Sequence, residues 1–244
     1  MEELNSGAKK LGLFLNSGQL EQFSIYCREL LAWNQRMNLT AITDYEEVQI
    51  KHFLDSLTVT LALKQSINYN SFRLLDVGTG AGIPGLPLKI VFPNIGLMLL
   101  DATAKKAAFL HHLKQELGMD NVEIVVGRAE EIAHLSEYRE RFDIVLSRAV
   151  APLPTLVELT LPFCTIGGSF VAQTKESVDL EISQATKAIN TLGGNLREVE
   201  KVDMEEFTDE RRLIIIDKVA VTPHQYPRRP GIPAKRPLLD KQSR

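Results

Sequence analysis

The apolar run Phe72-Arg-Leu-Leu-Asp-Val77 leads directly into Gly78-Thr-Gly80-Ala-Gly82-Ile-Pro-Gly85, and a helical pattern follows at once. A strand that ends in a glycine-rich turn and opens a helix constrains the fold more than any other stretch, because it is the first βα unit of a doubly wound sheet. Glycine lets the backbone turn tightly there and lets a ligand approach with no Cβ in the way. Gly80, Gly82 and Gly85 also satisfy G-x-G-x-x-G, which alone says little about the ligand.

Downstream the pattern alternates. Strands are expected near residues 95–100, 122–126, 142–146 and 169–173, with helices near 84–91, 104–117, 129–135, 154–162 and 178–192. Helical crossovers of this length require parallel strands covered on both faces. The last two strand candidates, 196–202 and 213–219, are separated only by a short polar segment, which suits an antiparallel hairpin. The expected fold is therefore α/β, a doubly wound, mostly parallel seven-stranded sheet with a last antiparallel strand.

Residues 1–70 read as a helical extension packed on the core. Leu20, Phe23, Cys27, Leu30 and Leu31 fall at helical spacing, with Ser17 placed to cap the start and the helix expected to end near the polar segment Trp33-Asn-Gln-Arg-Met-Asn38-Leu-Thr40. Thr43 and Glu46 form a candidate capping box for a second helix. Residues 71–221 form the sheet domain. Beyond it, prolines 223, 227, 230, 233 and 237 forbid a regular helix and make residues 222–244 an extended strap.

Charge is unevenly spread. The strap carries Arg228, Arg229, Lys235, Arg236, Lys241 and Arg244 against Asp240, within a chain whose net charge is −3. A basic tail on an acidic body points to a polyanionic partner met at one edge, or to a solvated tail. No stretch approaches the ~20 apolar residues of a membrane span, and the start lacks a secretory pattern, so a cytoplasmic protein without a membrane partner is expected. Cys27 and Cys164 are far apart and without metal-ligand spacing. Core thiols in a reduced compartment, and no metal, are the expectation.

Charge also separates the ligands that such a turn can hold. A dinucleotide brings a dianionic pyrophosphate that needs free N–H groups, whereas S-adenosylmethionine brings an ammonium and a sulfonium. Asp76 at the strand tip and Pro84, which lacks an N–H, both disfavour the pyrophosphate. Asp101, 21 positions after Gly80, suits the ribose hydroxyls of either ligand. Gly127-Arg128-Ala129-Glu130 offers an adenine-facing segment, with Arg128 free to face a substrate phosphate, or else a plain helix start. There is no G-K-[ST], which excludes a P-loop phosphotransferase.

Arg148 closes the strand near residues 142–146, beside the point where a transferred methyl group must lie. It is a candidate fork for the cofactor carboxylate or for an RNA phosphate. Exocyclic-amine methylation would place an Asn/Asp-Pro-Pro-aromatic segment here, and none is present. Carbon-5 methylation needs an activated thiolate, which Cys164 has no neighbour in sequence to supply. A neutral ring nitrogen such as guanine N7 needs no base, so alignment and electrostatics suffice. His52 and Asp55, three apart on one helical face, are either a hydrogen-bonded pair closing the N-terminal helices over the cofactor or a plain surface pair.

Taken together, Trp33-Asn-x-x-x-Asn38-Leu-Thr40, His52-Phe-x-Asp55-Ser56, the Asp76–Gly85 turn, Gly127-Arg-Ala-Glu130, Ser147-Arg-Ala149 and Tyr226-Pro-Arg-Arg-Pro-Gly-x-Pro-x-Lys235-x-Pro-Leu238 resemble the RsmG (GidB) family. These are Rossmann-like class I methyltransferases of small-subunit ribosomal RNA. The resemblance implies guanine-N7 methylation of one base in the decoding-region loop of bacterial 16S rRNA, with S-adenosyl-L-methionine as donor. Its substrate would be the rRNA, the small subunit or an assembly precursor, met by a monomer. By position it also implies cofactor contacts at Gly78, Ile83, Asp101, Ala129, Glu130 and Arg148, activity-linked arginines at Arg128 and Arg148, and RNA-facing Lys105, Lys106, Arg228 and Arg229. An NAD-dependent oxidoreductase, an inactive RNA-binding protein and a small-molecule methyltransferase are the competing readings.

Overall fold

The computed structural model describes residues 1–63, 72–148, 151–175 and 178–239. The expected boundary between residues 70 and 71, and strap residues Asp240, Lys241 and Arg244, lie outside them. The N-terminal part holds α1 (Glu2–Lys10), α2 (Ser17–Met37) and α3 (Tyr45–Val48), then a π-helical stretch (Gln49–Leu54) continuing into α4 (Asp55–Leu57) and a 3-10 turn (Thr58–Ala62). The sheet part alternates as β1 (Arg73–Val77), α5 (Gly85–Val91), β2 (Gly96–Asp101), α6 (Ala104–Glu116), β3 (Val122–Val126), α7 (Ala129–Ile132) and β4 (Phe142–Arg148). It continues with α8 (Leu153–Thr160), β5 (Cys164–Thr174), α9 (Asp179–Thr191), β6 (Gly194–Val202) and β7 (Arg211–Lys218), and the strap carries α10 (Ile232–Lys235).

The seven strands lie in the order β3-β2-β1-β4-β5-β7-β6. Pairing is parallel from β3 through β5, and β7 runs antiparallel to both of its neighbours. Consecutive strand residues face opposite sides, and both sides are covered. Leu74, Leu97, Leu99, Ile144 and Leu146 pack with the N-terminal helices, α5 and α6. Leu75, Met98, Leu100, Val145 and Phe170 pack with α8 and α9. That double coverage is why these strands read as unbroken apolar runs.

Several local expectations are corrected. Asn16, not Ser17, caps α2: its Oδ1 accepts from Gln19 N at 2.9 Å and Gln19 Oε1 accepts from Asn16 N at 3.0 Å. Asp44 rather than Thr43 caps α3, accepting from the N–H groups of Glu46 and Glu47. Helix α2 runs to Met37, inside the polar segment where its end is expected, and closes on Asn38 in the left-handed region. Its polar last turn stays helical because Trp33 packs on Phe109 of α6, at 5.6 Å between ring centroids. Cys164 begins β5 rather than ending a helix, and both thiols are buried. The described part of the strap is irregular, with turns closed by Tyr226 N to Pro223 O and Ile232 N to Arg229 O, and it holds the single helical turn of α10, where Pro233 sits at the helix start, a place that needs no N–H.

Candidate active site

The β1–α5 turn is built around Asp76. Its Oδ2 accepts from Thr79 Oγ1 at 2.7 Å and from Gly85 N at 2.9 Å, while Oδ1 is buried with no hydrogen-bond partner. Gly85 has to be glycine for this: a Cβ would sit 2.9 Å from Leu99 Cδ2 and 3.1 Å from Asp76 Oδ2. Burial pushes the Asp76 carboxyl up to about 6, against the two hydrogen bonds and the positive charge of Arg148, which pull it down. Gly78 N and Thr79 N donate to Leu100 O, so the turn is pinned to β2. Gly82 and Ile83 lie inside it, and Tyr26 of α2 closes it from above, donating to Ala81 O at 2.7 Å.

Asp101 ends β2 at the same edge of the sheet. Its Oδ2 accepts from Gly80 N at 3.0 Å and its Oδ1 from Thr103 N at 2.9 Å, with Lys106 Nζ 3.4 Å away. Gly127 N donates to Asp101 O and joins the third βα turn to the second. There Arg128 is exposed, Ala129 is buried, and buried Glu130 accepts from Gly231 N of the strap at 3.0 Å. The carboxyl ends of β1, β2 and β3 thus bring Asp76, Gly78, Gly80, Asp101, Ala129 and Glu130 to one edge of the sheet.

Arg148, the last residue of β4, is held by the N-terminal part. Nη1 donates to Asp55 Oδ2 at 2.8 Å and to Lys51 O at 3.2 Å, and Nη2 lies 3.0 Å from His52 Nδ1. His52 and Asp55 are therefore not bonded to each other, as one expectation had them; each holds the same guanidinium. Burial, then the Arg148 charge, pulls His52 down to about 3. The ring is neutral, and its network assigns the proton to Nε2, which donates to Thr40 Oγ1 at 2.7 Å and leaves Nδ1 to accept from Arg148.

Beside this clasp lies a cavity of about 330 Å³, lined among others by His52, Asp55, Arg148, Gln173, Lys175 and Arg211. Sequence reading missed Gln173, Lys175 and Arg211. The available signal was Arg211-Arg212, two cations heading the apolar run of β7. The basic residues expected to face RNA separate into two groups. Lys105, Arg229 and Lys235 are exposed and Lys106 is half-buried beside Asp101. The Arg228 guanidinium is instead committed to buried Glu158, with Nη2 to Oε2 at 2.6 Å. Among the described residues, no His, Cys, Asp and Glu cluster is placed to hold a metal ion, and no helix is long and apolar enough to cross a membrane.

This strand order, parallel from β3 through β5 with an antiparallel β7, is that of the Rossmann-like class I methyltransferases. A putative methyltransferase solved with the Haloferax volcanii Trm112 activator shares the fold, with a TM-score of 0.55 at 14% identity over 79% of this chain and 98% of that one. Membership is narrower still: the chain belongs to the rRNA small subunit methyltransferase G (GidB) family, whose model matches residues 19–214. The ribosomal RNA small subunit methyltransferase G of Dehalococcoides mccartyi is 51% identical over 98% of this chain and all of its own length. That of Roseiflexus castenholzii is 47% identical over the same shares.

Proposed function

We propose that the protein methylates N7 of one guanine in the decoding-region loop of 16S rRNA, using S-adenosyl-L-methionine. The observation that carries the choice of nucleophile is that, among the described residues, the side chains around Arg148 other than Asp76, which is assigned to the donor, offer no free base or thiolate. Asp55, a carboxylate lining the cavity, is ion-paired to two arginines, and His52 has both ring nitrogens engaged. Cys164 is buried and pushed up to about 12 by that burial. A ring nitrogen with an in-plane lone pair attacks without losing a proton, so such a site suffices for it.

This edge of the sheet fits the donor. Asp76 Oδ1, buried and without a partner, is an acceptor suited to a cationic ligand, and the turn offers no stack of N–H groups to a pyrophosphate. Asp76 and Gly78 would hold the amino acid end, Asp101 the ribose, and Ala129 with Glu130 the adenine, with Gly80, Gly82 and Ile83 shaping the turn. When bound, the donor supplies an electrophilic methyl carbon. Arg148 and Arg128 act by charge and position, and Lys105, Lys106, Arg229 and Lys235 meet RNA phosphates, in a monomer working in the cytoplasm. Arg228 serves the RNA indirectly, by fixing the strap that carries Arg229 and Lys235.

The test is labelled-methyl transfer to small ribosomal subunits and to naked 16S rRNA, followed by digestion to nucleosides. The expected product is 7-methylguanosine at one position. Label in another nucleoside, or none in either substrate, refutes the reading.

A further inference from the structure

Asp55 is the meeting point of three strand ends. Its Oδ2 accepts from Arg148 Nη1 of β4 at 2.8 Å, its Oδ1 from Arg211 Nε of β7 at 3.0 Å, and its backbone carbonyl from Gln173 Nε2 of β5 at 2.7 Å. It lies where the π-helical stretch passes into α4, so one residue of the N-terminal part fixes two guanidiniums and an amide around the cavity. Arg211 is also paired with Asp209 and lies over the Phe207 ring, 5.0 Å from its centroid, so it is fixed from the other side too.

A guanidinium has five N–H donors in one plane. On Arg148, Asp55, Lys51 O and His52 engage three, which settles the plane. One donor on Nε and one on Nη2 remain, and among the described residues nothing accepts from Nε. Without Asp55 the side chain would be free to turn about its own torsions, and any ligand would have to bear the cost of ordering it.

We propose that Asp55 is a positioning residue for methyl transfer, locking Arg148 so that its two remaining donors form a preset site for an oxyanion. This rests on the functional reading above. The oxyanion is either a phosphate of the RNA or the carboxylate of the cofactor. Asp55 touches neither; it acts through Arg148.

The experiment is a double-mutant cycle on kcat with Asp55→Asn and Arg148→Lys in the full chain, using small subunits as substrate. Asp55→Asn should lower kcat about 100-fold, the range a misplaced binding group costs. In the Arg148→Lys background the same change should cost less than about 2-fold, because there is no fork left to orient. A full loss in both backgrounds, or no loss in either, overturns the proposal. If Asp55→Asn does not fold, Asp55→Asn/Arg211→Met, which removes a buried cation along with its counter-charge, takes its place in the cycle.

Two further readouts separate the causes. Hindered rotation of the Arg148 guanidinium, seen by side-chain nitrogen NMR, should be lost in Asp55→Asn; unchanged rotation overturns the proposal even if turnover falls. If the unaltered protein transfers no methyl group, the functional reading fails while this measurement still decides whether Asp55 sets Arg148. In Arg148→Gln, which removes the charge as well as the fork, weaker S-adenosylmethionine binding identifies the cofactor carboxylate, whereas a salt dependence of RNA binding shallower by about 0.7–0.9 identifies a phosphate. Neither change would leave the site without its oxyanion and overturn the proposal.

Discussion

Arg228 closes on Glu158 as a fork: its backbone N and Nε donate to Oε1 at 2.8 and 2.9 Å and Nη2 donates to Oε2 at 2.6 Å, with the Glu158 side chain wholly buried. The strap is thereby latched onto α8, while Gly231 reaches Glu130 of α7 and Pro227 O accepts from His134 Nε2. A chain segment rich in proline has few internal hydrogen bonds, so its place is set by these outside contacts.

Breaking the latch from one side leaves a buried carboxylate without its cation. Arg228→Ala should cost about 3 kcal/mol in urea unfolding, the lower end for a broken buried pair, since a quarter of the Arg228 side chain meets water. Arg229→Ala should leave stability within about 0.5 kcal/mol and reduce the slope of log K against log salt for RNA by about 1. The reverse pattern would show that Arg228, not Arg229, meets the phosphates.

If Asp76 holds the donor as proposed, cofactor binding should be pH-dependent. Its carboxyl is held up near 6, above the ordinary 3.8, so the free protein keeps a proton there that a cationic ligand disfavours. S-adenosylmethionine affinity measured by calorimetry should rise from pH 5 to 7 and level off above, by at most about tenfold per pH unit below 6. Asp76→Asn should bind weakly with no such rise, and a flat profile in the unaltered protein would remove Asp76 from the site.

His52 sets an acid limit on stability. Its pKa is about 3 folded and 6.5 ordinarily, so the unfolded chain takes up the extra proton between those values. Its contribution is complete above pH 6.5 and falls on acidification by about 1.4 kcal/mol per pH unit through that window. In unfolding curves from pH 7 to 4, His52→Gln should show a shallower decline, and an equal decline would mean that the ring is protonated in the native state.

Gly82 and Gly80 should differ although both have positive φ. At Gly82, with φ +91°, a Cβ would lie 2.4 Å from Leu86 Cδ1, whereas at Gly80, with φ +60°, the nearest atom is Gly78 O at 3.9 Å. Gly80→Ala should cost the backbone strain alone, about 1–2 kcal/mol, and Gly82→Ala should exceed it through the clash, by about 1–3 kcal/mol. Thermal denaturation of the two variants in parallel checks the order.

What the sequence by itself determined is local in origin. The strand, turn and helix around Asp76 and the hairpin of β6 and β7 follow from glycine and proline positions and from unbroken apolar runs, which act over a few residues. The seven strands were legible for that reason. Tertiary structure alone decided how Arg148 is held, since Arg148 and Arg211 lie 93 and 156 residues from the Asp55 carboxylate on which they meet. It likewise decided that Arg228 turns inward, because α8 presents Glu158. A lone charge has no periodicity to reveal its partner, and only the packing of distant elements brings the two together.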